Sequence, residues 1–158
     1  MAWIMPLKGK YNYGPLFGVV DSWHPNGHRG CDYNGFKAGT PYYAVNDGVI
    51  AVNKESAILG HVVVLQVGKH FFGYCHMDKA SPLKVGTKVK SGQVIGTAGT
   101  TGSASSGVHL HLTLGLTKDA VFGGKVFDAD GFLKKVIAVQ TARAKAAAGG
   151  GAGAAKVA

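Results

Sequence analysis

Two histidines separated by one residue are the most specific chemical feature of the sequence. His109 and His111 lie in the run 108–114, where polar residues at 109, 111 and 113 alternate with apolar ones. Residues two apart in a strand project from one face, so both imidazoles should face the same space. Such a pair suits a metal ion, or a metal ion together with a proton-transfer role. A solvated polar strand face is the alternative that this pair alone leaves open.

A second feature is the segment His28-Arg29-Gly30-Cys31-Asp32. A histidine nitrogen and an aspartate oxygen are a common ligand mix for catalytic zinc, and Gly30 permits a turn that brings both onto one ion. His111 would complete three ligands and leave the fourth tetrahedral position for water, which is the layout of a hydrolytic site.

The remaining titratable residues limit the kind of chemistry. His76 follows the strand-like run 71–75, where a histidine is commonly a surface residue, but a site at His109 would need a partner across from it. Glu55 is the one glutamate, which excludes a His-Glu-x-x-His zinc helix and argues against a glycosidase with two carboxylates.

Short apolar runs between turn residues predict the strands that would position these side chains. The predicted strands are 42–45, 48–52, 61–67, 70–75, 93–96 and 108–114, with a tight hairpin at Gly68-Lys69. Residues 96–107 form a polar loop without helical or strand period. Apolar residues recur at helical spacing over 130–148, with Asp128 or Asp130 as the N-cap. The fold class is therefore mostly β with a C-terminal helix.

The length and composition favour one folded domain. The chain has 158 residues, of which 46% are hydrophobic and 16% charged. We expect residues 1–145 to form a domain that ends in the helix and residues 146–158 to be an Ala/Gly-rich linker. Because a linker joins two parts, a second domain is expected to be missing after it.

The net charge and the cysteine content exclude fewer classes of function. The net charge of +9 favours polyanionic partners, among them nucleic acid, acidic membranes and cell-wall polymers, without choosing between them. Cys31 and Cys75 are too few for a disulfide scaffold. Each is adjacent to a candidate site residue, so alternation along a strand predicts that both side chains are buried thiols pointing away from the site.

The residues, taken in order, resemble the lysostaphin/LytM-type cell-wall metallopeptidases. The resemblance rests on His-x-Gly-x-Asp at 28–32, Tyr-x-His at 74–76, the Gly-Gln-Val-Ile-Gly segment at 92–96 and Val-His-Leu-His at 108–111, and it covers about residues 24–114. It implies a small antiparallel β-sheet or sandwich with a groove walled by loops.

The resemblance also implies roles for individual residues. His28, Asp32 and His111 would bind one Zn²⁺ per chain, and His76 and His109 would transfer protons and stabilise the tetrahedral intermediate. The family often has a tyrosine shortly before the first ligand, and here that stretch contains Trp23 and His24 instead. We expect the groove to be lined by Trp23, His24, Gly99 and Gly102.

The function implied by the resemblance is zinc-dependent hydrolysis of peptide crosslinks in bacterial peptidoglycan. The alternatives are a non-catalytic wall-binding member of the same fold and a cell-wall amidase or peptidase that uses Cys31 as its nucleophile. We expect a monomer that binds peptidoglycan, with neither a nucleic-acid partner nor membrane insertion, and with a C-terminal wall-binding domain as the missing part.

The N-terminus lacks the basic and apolar segments of a signal peptide. This predicts synthesis in the cytoplasm and action on the cell wall after release, as for the catalytic domain of a phage endolysin. Nothing in the sequence distinguishes a glycine–glycine crosslink from one that involves D-alanine.

Overall fold

An antiparallel sheet of eight strands forms the frame of the molecule in the computed structural model, which describes the backbone of residues 2–157 and the side chains of residues 2–149. The strands are β1 (Asn12–Tyr13), β2 (Cys31–Asn34), β3 (Pro41–Tyr43), β4 (Gly48–Ser56), β5 (Gly60–Val67), β6 (His70–Met77), β7 (Lys88–Val89), β8 (Val94–Thr97), β9 (Leu110–Gly115) and β10 (Val126–Phe127). Seven of them follow the order β1-β2-β9-β6-β5-β4-β7, β10 pairs with β9, and β3 and β8 form a separate two-stranded sheet. The prediction of a mostly β, antiparallel fold is confirmed.

The hairpin predicted at Gly68-Lys69 joins β5 to β6. Val67 and His70 are register partners, and Gly68 has φ 59°, a left-handed conformation that two-residue hairpin turns require and glycine adopts at low cost. The sequence did not indicate β1, β2, β7 or β10. Each of these strands has at most four residues, which is too short for a periodic pattern.

The two faces of β9 differ as its alternating sequence predicts. Leu110, Leu112 and Leu114 lie in the main hydrophobic core, on the face opposite His111 and Thr113. The polar face is nevertheless buried as well, because a second apolar cluster packs on that side of the sheet. Its buried members are Val62, Val64, Cys75 and Val121.

A helix, α1 (Ala129–Val157), follows β10. The Asp128 side chain accepts the N–H of Gly131 at 2.9 Å, so Asp128 is the N-cap, as one of the two predictions had it. The helix continues past residue 148, and no change of secondary structure marks the predicted boundary at 145/146. The part of the predicted linker that lies within α1 is therefore helical, and its role as a linker between domains stays a prediction. Within the same residues, no helix combines the length and apolar character that a membrane span requires.

Asp130 attaches the start of α1 to the sheet. Its Oδ1 accepts hydrogen bonds from the hydroxyls of Tyr33 (2.7 Å) and Tyr13 (3.1 Å), and its Oδ2 lies 2.9 Å from Lys134 Nζ. Asp130 and Tyr33 are both buried.

Replacement of Asp130 by Ala should therefore lower the free energy of unfolding by about 3 kcal/mol, since it leaves the buried Tyr33 hydroxyl without its acceptor. Replacement of Lys134 by Met removes the partly exposed ion pair and the contact of Nζ with the Tyr13 ring, and it should cost no more than about 1 kcal/mol. Urea unfolding of both variants measures the difference. Equal losses would mean that the ion pair, and not the tyrosine hydrogen bonds, holds the helix.

Candidate metal centre

Two adjacent strands bring together the three residues predicted as ligands. Asp32 on β2 and His111 on β9 are register partners, with 2.9 Å between Oδ1 and Nδ1. His28 precedes β2, and its Nε2 lies 3.1 Å from His111 Nδ1 and 3.3 Å from Asp32 Oδ1. One ligand atom from each residue lies within 4.8 Å of the others. We call His28, Asp32 and His111 the ligand cluster.

The donor set of this cluster fits a zinc ion. Two imidazole nitrogens and one carboxylate oxygen are the three protein ligands typical of catalytic zinc sites. His28 Nδ1 lies 3.2 Å from the carbonyl oxygen of Leu16, to which it can donate, and this leaves Nε2 directed at the cluster. The three side chains are largely withdrawn from solvent, so little water competes for the ligand atoms.

Electrostatics in the cluster favour a cation. Burial raises the pKa of Asp32, but hydrogen bonds from His111 and His28 outweigh it and hold that pKa well below its ordinary value. Burial lowers the pKa of His111 despite the neighbouring carboxylate. For His28 burial acts in the same direction, but the hydrogen bond and charge of Asp32 prevail and raise the pKa. The cluster thus holds a firmly ionised carboxylate between two imidazoles.

His76 reaches the same site through an unusual backbone conformation. With φ 59°, it is the one non-glycine residue of the described chain that has a positive φ. The β5–β6 register shifts beside it, and its N–H donates to the carbonyl of Leu59 at 2.8 Å. Strict alternation would place the side chain on the core face with Tyr74. Instead the ring lies 4.7 Å from that of His109 and 6.0 Å from that of His111.

This conformation corrects the prediction for Cys75. Cys75 pairs with His111 in the β6–β9 register, so both side chains lie on one face, and Cys75 is buried beside Val62, Val64 and Val121. The prediction that it points away from the site was wrong because the left-handed His76 interrupts the alternation from which it was drawn. Both cysteines are free thiols in separate clusters.

Cys31 behaves as predicted, and its position contradicts its alternative role as a nucleophile. It lies in the main core on the face opposite Asp32, fully buried, and burial raises the pKa of its thiol to about 12. A thiol that is protonated at neutral pH and out of contact with solvent cannot attack a substrate.

His109 immediately precedes β9 and faces the ligand cluster. Its Nδ1 lies 2.8 Å from the carbonyl oxygen of Gly107, and its Nε2 lies 3.8 Å from Asp32 Oδ2. His76 Nδ1 is bound in the same manner by the carbonyl oxygen of Thr101 at 2.7 Å. Because a carbonyl only accepts, both rings hold a hydrogen at Nδ1 and leave Nε2 for other partners. Burial lowers the pKa of His76 to about 4, so this ring is neutral near pH 7.

A cavity of about 290 Å³ opens over the ligand cluster. Trp23 and His24, both predicted to line the groove, are on its wall, and Leu59, Ala104 and Val121 contribute apolar surface. The other lining residues are Pro25, Asn26, Gly27, Arg29, His76 and His109, besides the cluster itself.

Gly99 and Gly102, predicted to line the groove, serve the packing of the chain against itself. A Cβ at Gly99 would lie 2.3 Å from the backbone nitrogen of Asp78, and one at Gly102 would lie 2.3 Å from that of Gly60. Within residues 2–149 the cavity is lined by other parts of the chain. The loop 96–107 affects the site through Ala104, which lines the cavity, and through the carbonyls of Thr101 and Gly107, which orient His76 and His109.

Arg29 is a residue of the site region whose role the sequence did not reveal. Its guanidinium donates to the carbonyl oxygens of Ala120 and Gly124, each at 2.8 Å. These bonds hold the short 3-10 helix Ala120–Phe122, from which Val121 reaches the cavity. A bond to a backbone carbonyl 91 residues away leaves no pattern in the sequence.

Gly30 allows β2 to lie against the His111 ring. A Cβ at position 30 would lie 2.6 Å from the carbonyl oxygen of Leu112 and 2.7 Å from His111 Cε1, distances that real contacts do not reach. Replacement of Gly30 by Ala should therefore displace a ligand and lower zinc affinity by about 10- to 100-fold, with a lower Tm. Gly107→Ala is the matched control, since a Cβ there meets no described atom within 4 Å. Zinc titration of both variants tests this, and equal affinities would show that β2 shifts without disturbing His111.

Known proteins resemble this chain in sequence and in fold. Residues 26–122, which include the whole ligand cluster, match Peptidase family M23. Peptidoglycan DD-endopeptidase ShyA of Vibrio cholerae serotype O1 is 39% identical over 88 residues, 55% of this chain and 20% of that protein. Glycyl-glycine endopeptidase ALE-1 of Staphylococcus capitis is 35% identical over 114 residues, 70% of this chain and 30% of that protein.

A solved structure shows the same fold. The catalytic domain of the antimicrobial peptidase lysostaphin from Staphylococcus simulans superposes with a TM-score of 0.66 and 30% sequence identity, over 78% of this chain and 92% of that one. The chain therefore spans less than a third of the two relatives above but corresponds to nearly all of a catalytic domain.

Proposed function

The chain belongs to peptidase family M23, and from that premise we propose that it is a zinc-dependent endopeptidase that hydrolyses peptide crosslinks of bacterial peptidoglycan. The observation that supports this most is the convergence of His28, Asp32 and His111 beneath an open cavity that two further histidines also line. The relatives named for peptidoglycan and glycyl-glycine bonds support the substrate class.

Peptidases of this family are zinc metalloproteases, and the ligand cluster is where this chain can hold the ion. Bound there, zinc would polarise the scissile carbonyl and lower the pKa of a water molecule towards neutrality. Asp32 stays ionised and balances part of the added positive charge. The carbonyl of Leu16 holds the His28 ring through the nitrogen that does not face the cluster, so few motions of this ligand need to be frozen on binding.

His76 and His109 are proposed to transfer the protons. Since backbone carbonyls hold the Nδ1 hydrogens of both rings, Nε2 is the atom through which each ring can accept a proton. A ring that has taken a proton becomes a donor at the same atom. It can then stabilise the developing oxyanion or deliver the proton to the leaving amine.

We also propose that residues 1–145 are the catalytic domain, that residues 146–158 are a linker, and that the protein acts at the bacterial cell wall.

The decisive experiment incubates the purified zinc-loaded protein with defined crosslinked peptides, one set joined through glycine and one through D-alanine. Mass spectrometry should show products that have gained one water per bond. A chelator should stop their formation, and added zinc should restore it.

The same experiment distinguishes the proposed peptidase from a non-catalytic wall-binding protein. Such a protein would sediment with peptidoglycan sacculi and release no new amine from any crosslink. Binding without products, at full zinc content, would refute the proposed hydrolysis.

A further inference from the structure

The loop that precedes the ligand cluster places an additional histidine at the cavity. His24 lines the cavity together with His28, His76 and His109. Its ring lies against that of His28, with 4.2 Å between centroids, yet His24 is outside the ligand cluster. Neither the zinc site nor the proton transfers assigned above use it.

Asp21 fixes the orientation of this ring. One carboxylate oxygen, Oδ1, accepts the backbone N–H of Trp23 at 2.9 Å and that of His24 at 2.7 Å, and it lies 2.9 Å from His24 Nδ1. The carbonyl of His24 in turn accepts the N–H of Gly27 at 3.0 Å. The side chain and backbone of His24 are thus both held in place.

The hydrogen bond to Asp21 also determines what His24 can offer a ligand. An ionised carboxylate only accepts, so the hydrogen between the two groups is on Nδ1, and the tautomer selected by this hydrogen bond has its lone pair at Nε2. In the part of the chain that the structure describes, Nε2 makes no hydrogen bond. A half-buried acceptor without a partner at a cavity is suited to a ligand that donates an N–H.

We propose that His24 is a substrate-binding residue whose Nε2 accepts a hydrogen bond from a main-chain N–H of the crosslink peptide. The inference rests on the proposed function, because a peptide is the ligand whose backbone supplies such donors. His24 is on the wall formed by residues 23–27, whereas Leu59 and Ala104 line the cavity from other segments with apolar surface. One hydrogen bond from the wall that contains His24 would fix the direction in which the peptide lies over the ligand cluster.

The test combines a protein variant with substrate analogues. His24→Phe keeps an aromatic ring against His28 and removes both ring nitrogens. In the analogues, each main-chain N–H except that of the scissile bond is replaced in turn by an ester oxygen. We expect wild-type kcat/KM to fall about tenfold for one analogue. His24→Phe should show about the same loss with the parent peptide, mostly in KM, and no additional loss with that analogue.

Zinc content and Tm of His24→Phe, measured in the same samples, should equal those of the wild type, which distinguishes substrate binding from support of His28. Equal kcat/KM for wild type and His24→Phe, or losses that add for every analogue, would overturn the inference and leave the proposed function standing. A wild-type protein that cleaves no parent peptide would overturn both. Loss of zinc from His24→Phe would assign His24 to positioning of the ligand His28 instead.

Discussion

Replacement of His111 by Ala is expected to release zinc and to abolish crosslink hydrolysis. The variant retains only His28 and Asp32, and it removes the hydrogen bond that Asp32 receives at 2.9 Å. Two ligands rarely hold zinc against water, and the buried carboxylate loses a partner, so the Tm should fall as well. Elemental analysis after gel filtration, together with turnover of one defined peptide, measures both effects.

Replacement of His109 by Ala, two residues away, is the matched control. His109 lies outside the ligand cluster, and its Nε2 is 3.8 Å from the nearest Asp32 oxygen. Zinc should therefore stay bound and the Tm should change little, while kcat falls by about two to four orders of magnitude because proton transfer is lost. If His109→Ala sheds the metal and His111→Ala keeps it, the two roles are exchanged.

The second large effect concerns the left-handed residue of the site. His76→Gly should lower kcat by about two to four orders of magnitude, because no imidazole remains between Thr101 and the cavity. The same loss is expected for His76→Ala. The two variants should differ in stability, since at φ 59° alanine keeps the backbone strain and glycine does not.

Thermal and urea unfolding of the pair should show the glycine variant more stable by about 1 kcal/mol. Zinc content should be normal in both, because His76 is not in the ligand cluster. An alanine variant as stable as the glycine variant would show that the segment changes conformation once the ring is gone. Normal turnover in either would remove His76 from the mechanism.

The sequence indicated which residues lie together better than it indicated the geometry by which they meet. Alternation along β9 placed His109 and His111 on one side, and His-x-Gly-x-Asp placed Asp32 near them. The structure adds that Asp32 and His111 are direct register partners. The order of predicted strands could not provide that pairing, because the predicted strands begin at residue 42 and do not include β2.

Local backbone departures account for what could not be predicted. Rules of alternation assume regular strands, and the left-handed His76 moves its own side chain to the site face while Cys75 stays on that face as well. Contacts to backbone atoms escape prediction for a different reason. The carbonyl partners of Arg29 and His76 are present in every residue type, so no residue identity marks them.

The strand order also has a consequence for how the protein folds. β4, β5 and β6 pair with their neighbours in sequence, whereas Asp32 on β2 meets His111 on β9 across 79 residues. Closing so long a loop costs more entropy than closing a hairpin, so β2 should dock onto a sheet that has already formed. The ligand cluster has residues on both sides of this late contact between β2 and β9. Zinc capture would then complete the folding reaction, and zinc release would be the first step by which the N-terminal segment detaches.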